Sequence, residues 1–196
     1  MIDNKINALL QNQFLFLTNI IVNINYLLEL SQIQGEGREN LLLKRQYINY
    51  IARFAMDDYA MKIHKIIFEK DKNSYSFHKL LNILESNKFF KGENPNDLKQ
   101  LKNLTDIEKL ALELKLDIVR DKFIAHLDWN RPEIKTDLYE MEKLANNVVE
   151  FYNQLYFHIN KSTCDFSVNK NILKEVLQDN KLLLNFIQKE KSVKVN

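Results

Sequence analysis

Arg120, Asp121 and His126 stand close together near the end of an otherwise apolar helical stretch, Arg120-Asp121-Lys122-Phe123-Ile124-Ala125-His126. An imidazole with an ordinary pKa of about 6.5 can take or give a proton near neutral pH. A guanidinium can hold the charge that builds on phosphoryl oxygens through paired hydrogen bonds. RNA carries its own nucleophile, the 2′-OH, so these two groups suffice to cleave it and the chemistry calls for no metal. The products expected are a 2′,3′-cyclic phosphate and a 5′-OH. On one straight helix, Arg120 and His126 are separated by about 9 Å of rise and about 120° of rotation. One copy cannot focus both on one atom except through the reach of the arginine. Two copies related by a two-fold axis can bring both pairs to one cleft. The plain alternative makes Arg120 and Asp121 surface charges and lets His126 cap its helix C-terminus, where a cation is favoured.

Other chemistries find less support. A di-iron bundle needs Glu-x-x-His pairs on facing helices, but Met61, Tyr75, Phe123 and Leu155 stand three residues before the four histidines. No His-Glu-x-x-His occurs. His64, His78 and His158 read as structural or surface residues. The single Cys164 rules out a disulfide framework and a cysteine-rich zinc site, and reads as an inert thiol in a reducing cytoplasm. Asp57 follows Arg53 by four residues, which a surface ion pair explains. Gly35 and Gly37 follow no strand pattern, so no glycine loop cradles a phosphate. No cofactor is implied.

The elements that must position the motif are helices. Three Gly and two Pro in 196 residues argue against sandwiches, barrels and Rossmann folds. The apolar spacing predicts an all-α fold, an elongated bundle of long antiparallel helices over 4–30, 39–69, 105–128 and 137–160. A short helix is expected over 77–84, and another over about 170–189. Residues 1–160 form the expected bundle, and 161–196 supply a C-terminal helix and tail packing on it. Thr105 and Glu108 have capping-box spacing, with Leu104 as a staple, so a helix start is expected there and a polar connection over 87–102. The stripe Ile107, Ala111, Leu114, Ile118 should then continue toward Leu127 or Trp129, until Pro132 stops it. Phe14–Leu28, the most apolar stretch, is interrupted by Thr18, Asn19, Asn23 and Asn25, and reads as a buried helix, not a membrane span. The net charge is +2, so any nucleic-acid contact must come from a local patch. Lysine is the default cation here, which makes each of the five arginines worth inspecting.

With these residues in view, the 120–126 segment resembles the signature of the HEPN superfamily, an Arg and a His separated by four to six residues, often with a polar residue after the Arg. Its wording through Leu127-Asp128 is similar to the AbiU-type abortive-infection branch. The earlier Asp71-Lys72-Asn73-Ser74-Tyr75-Ser76-Phe77-His78-Lys79-Leu80-Leu81 resembles a Ser-containing, Leu-Leu segment of that branch. The resemblance implies a helical homodimer and a metal-independent endoribonuclease of a toxin–antitoxin or anti-phage system. It would make Arg120 and His126 catalytic, with Asp121 orienting them. The partners implied are RNA, a second copy, and an antitoxin or other defence-system protein. Asp128 stands where some relatives carry a Tyr that a nucleotidyltransferase modifies, which argues against such a partner. The competing readings are a non-catalytic HEPN-like module that binds RNA or a protein, and a purely structural bundle.

Overall fold

The computed structural model describes residues 4–31, 46–70, 75–86, 97–116, 137–164 and 166. Five helices account for most of them: α1 (Asn4–Ser31), α2 (Gln46–Ile67), α3 (Phe77–Ser86), α4 (Asp97–Glu113) and α5 (Leu138–Asn160). No strand occurs among the described residues. The sequence expectation of an all-helical bundle is met. The expected helix over 170–189 lies outside the described residues.

α1 is the hub. Leu9, Gln13, Leu17, Ile20, Ile24 and Leu27 are buried at spacings of three and four, with Ile6, Leu10 and Leu28 widening the stripe. This doubled face lets α1 pack on α2 and α5 at once. By length and composition alone α1 could cross a membrane; here its stripe is shared between two helices. Tyr26 and Leu27 cluster with Ala55 of α2, and Asn23 donates to Asp58 of α2 at 2.7 Å. Residue numbers fall on one helix as they rise on the other, so α1 and α2 are antiparallel. The same test applies to α5: Leu138 packs beside Tyr26 and Leu27, while Tyr152 reaches Leu10. α5 is therefore also antiparallel to α1, and α2 and α5 run the same way.

Two phenols tie these helices together. Tyr59 of α2 donates to the Met141 carbonyl of α5 at 2.7 Å, and Tyr152 of α5 donates to the Leu10 carbonyl of α1 at 3.1 Å. Both rings are buried, and a buried hydroxyl must find a partner. α3 is fixed at its start. Ser76 is its N-cap, with Oγ accepting from the Lys79 N–H at 3.3 Å. Gln13 of α1, fully buried, donates to the carbonyls of Tyr75 and Ser76 at 3.1 Å each. Leu80, Leu81 and Leu84 then turn inward as the sequence predicts, and Phe77 meets Phe151 of α5 edge to face at 4.9 Å.

α4 departs from expectation at both ends. It starts at Asp97, so 97–102 belong to the helix and not to a connection. Leu98, Leu101 and Leu104 extend the apolar spacing backwards from Ile107. Thr105 is consequently mid-helix, where the backbone N–H groups already have partners one turn earlier and a capping box has nothing to cap. Glu108 instead meets His78 of α3 at 2.5 Å. The other end breaks early. The Lys115 N–H turns back to the Leu112 carbonyl at 2.9 Å, and Lys115 takes a left-handed φ of 55°. The helix expected to run unbroken from 105 to 128 is thus interrupted after Glu113. Leu114 is only half-buried and Leu116 is fully buried, so the inward register is reset across the turn.

α5 begins and ends with local caps. Asp137 accepts from the N–H groups of Tyr139 and Glu140 at 2.9 and 3.4 Å, which starts the helix where the apolar spacing predicts. Lys161 closes the helix in a left-handed conformation, φ 56°, its N–H on the Phe157 carbonyl at 2.8 Å.

Candidate functional site

Arg120, Asp121 and His126 fall in 117–136, outside the described residues. What the structure gives is the frame on either side. Upstream, α4 ends and Lys115 turns the chain before the buried Leu116. Downstream, Asp137 starts α5. The axis of α4 therefore stops before the motif. α5, in contrast, is locked into the core by the Tyr59–Met141 bond within its first two turns.

A cleft of about 270 Å³ lies between α4 and α5. Asp106 of α4 and Asn147, Glu150 and Gln154 of α5 wall it, over Ile107 and Phe151. Gln154 donates to Glu150 at 3.4 Å. Two carboxylates on facing helices repel a phosphodiester, and no cation lines the cleft among the described residues. Its described walls are unsuited to holding RNA.

Three of the other residues singled out from sequence make side-chain contacts within the bundle. His78 links α3 to α4 through Glu108. The His64 ring lies 5.4 Å from that of Phe68. Cys164, half-buried, hydrogen-bonds the Tyr152 side chain. Burial pushes both the Tyr59 and Tyr152 phenols above their ordinary pKa; Cys164 and Tyr156 add to the effect at Tyr152. Asp58 accepts from Asn23 and Lys62 and so joins α1 to α2. Among the described residues, no group of three or more His, Cys, Asp or Glu side chains is placed to hold a metal ion. Sequence reasoning also missed Gln13, whose signal was a lone amide in the middle of an apolar stripe.

A family model, AbiU2 of the HEPN type, matches residues 8–179. No curated protein matches the chain, and no solved structure does. The matched span takes in α1 from residue 8 and the other four helices whole, and runs across the Arg120–His126 segment. The chain belongs to the AbiU2 family of HEPN domains, the abortive-infection type.

Proposed function

We propose that this protein is a metal-independent endoribonuclease of a bacterial defence or toxin–antitoxin system. The observation that carries the reading is the Arg120-to-His126 spacing inside a span matched by the AbiU2 family. The 2′-oxygen attacks the adjacent phosphorus, the bond from phosphorus to the 5′-oxygen breaks, and a 2′,3′-cyclic phosphate and a 5′-OH result. One proton leaves the 2′-OH and another reaches the departing 5′-oxygen. His126 serves as base or acid. Two proton transfers at opposite ends of one reaction call for two groups, which a homodimer supplies from two copies. Arg120 donates to the non-bridging oxygens as charge builds there, and Asp121 orients the pair. An antitoxin or another defence protein would hold the activity in check.

The test is cleavage of single-stranded RNA by the purified protein with EDTA present, followed by analysis of the product ends. His126→Ala should lose about 10²–10⁴ in rate, and Arg120→Ala about 10²–10³. Arg120→Lys should not restore the rate, because an ammonium lacks the paired planar donors of guanidinium. Asp121→Asn should be milder. If EDTA abolishes cleavage, or if the His126→Ala protein cuts as fast as the parent, this mechanism is wrong and a non-catalytic binding module takes its place.

A further inference from the structure

Phe151 and Tyr152 of α5, Phe77 of α3 and Tyr59 of α2 are buried, while Tyr75, Tyr139 and Phe157 are exposed at scattered positions. On α2 two exposed rings are neighbours: Tyr50 is 68% exposed and Phe54 is 71% exposed. Four residues apart, they stand one turn from each other on one side of the helix, about 6 Å along its axis. Arg53 is exposed on the same side, one turn from Tyr50 and adjoining Phe54. The inward side of α2 is already filled, with Ile51, Ala52, Ala55 and Met56 on Tyr26 and Leu27 of α1. Packing within this bundle therefore gives no reason for two neighbouring rings in water.

Charge narrows what the rings could meet. Arg53 makes no hydrogen bond or ion pair with a described residue. Three of the five arginines fall at 38, 45 and 53. Of the acids of α2, Asp57 lies one turn beyond Arg53 and Phe54 and is half-buried, and Asp58 is engaged by Asn23 and Lys62. A protein seated on the rings would bury the Arg53 guanidinium and have to bring its own counter-charge. A nucleic-acid strand brings both parts, bases with flat faces and a phosphate between them.

We infer that this face of α2 is a stacking platform for single-stranded RNA, with Tyr50 and Phe54 each receiving a base and Arg53 holding the intervening phosphate. The inference rests on the RNA reading above and adds to it a second contact surface, on a different helix from the Arg120–His126 segment. It holds substrate and does not cut it. Stacking accepts every base, so the platform gives affinity for unpaired RNA without strong sequence preference.

The test uses the full chain carrying His126→Ala, so that RNA is not consumed, and a fluorescein-labelled single-stranded RNA followed by anisotropy. Tyr50→Ala and Phe54→Ala should each weaken binding about 5- to 100-fold. Tyr50→Phe should stay within about twofold of the parent, because stacking uses the ring and not the hydroxyl. Arg53→Ala should reduce the slope of log affinity against log salt by about 0.7, while Arg53→Lys should keep that slope. Affinity for a fully paired RNA duplex should not change in the Tyr50 and Phe54 variants. Unchanged single-strand affinity in Tyr50→Ala and Phe54→Ala, with their helical spectra intact, overturns the platform. Loss of oligomer mass in those variants at unchanged RNA affinity also overturns it, and makes the face a contact between copies. A His126→Ala parent that binds no RNA overturns it as well. Cleavage by the unmutated chain is read separately: binding through these rings without cleavage spares the platform and sinks only the nuclease reading.

Discussion

Tyr59 and Tyr152 bury their hydroxyls against carbonyls of other helices, Met141 and Leu10. Those carbonyls lie within helices, so each phenol uses a second lone pair and completes no backbone bond. Tyr59→Phe should therefore cost about 1 kcal/mol in urea unfolding at neutral pH, the net worth of one hydrogen bond. The same phenols set an alkaline limit. Their pKa values are raised by burial, so in the folded chain they stay protonated where an unfolded Tyr, at about 10, begins to ionise. Stability from this source is fully present below about pH 10 and falls above it, by up to about 1.4 kcal/mol per pH unit for each phenol. Unfolding midpoints measured on either side of pH 10 should show the fall, and the Tyr59→Phe, Tyr152→Phe double variant should flatten it. None of this was legible in the sequence. Each ring occupies a helix position that reads simply as apolar, and the partner carbonyl lies 82 residues away for one and 142 for the other. The identities of Arg120, Asp121 and His126, by contrast, could be read only from the sequence.

At the scale of elements, legibility followed the source of each signal. α1, α2, α3 and α5 announce themselves because burial repeats every three or four residues along them. Asp137 was readable as a cap because the interaction closes within one turn. Thr105 and Glu108 misled because spacing alone cannot tell whether the preceding residues are already helical. The stop after Glu113 was hidden because lysine, not glycine, takes the left-handed turn. Such a conformation costs a non-glycine residue about 1–2 kcal/mol in backbone energy, and glycine gives part of that back as chain entropy. Lys115→Gly and Lys161→Gly should each raise thermal stability by roughly 0.5–1 kcal/mol. Asp137→Ala should lower it by about 0.5–2 kcal/mol. If Lys115→Gly destabilises instead, the turn after Glu113 is not left-handed in solution and α4 runs on toward the motif as one helix.

For the whole molecule, the division after Cys164 leaves Met1–Cys164 as the unit that holds all five helices. The proposed composite site requires two such units. Light scattering at micromolar concentration should give twice the monomer mass, and a strict monomer under those conditions would count heavily against two copies sharing one cleft. Circular dichroism should show helix without a strand signature.

The hub position of α1 also governs the order in which the chain can fold during synthesis. α1 leaves the ribosome first, and α2 can cover one side of it soon afterwards. The other side waits for α5, about a hundred residues later, roughly 5–20 s at 5–20 residues synthesised per second. Through that interval a helix apolar enough to span a bilayer presents an open flank. Nascent chains arrested before Leu138 should therefore be bound by holdase chaperones and digested readily, and chains arrested beyond Asn160 with the exit tunnel cleared should be released and resist protease. The latest-made helix of the described bundle is the one that closes the earliest.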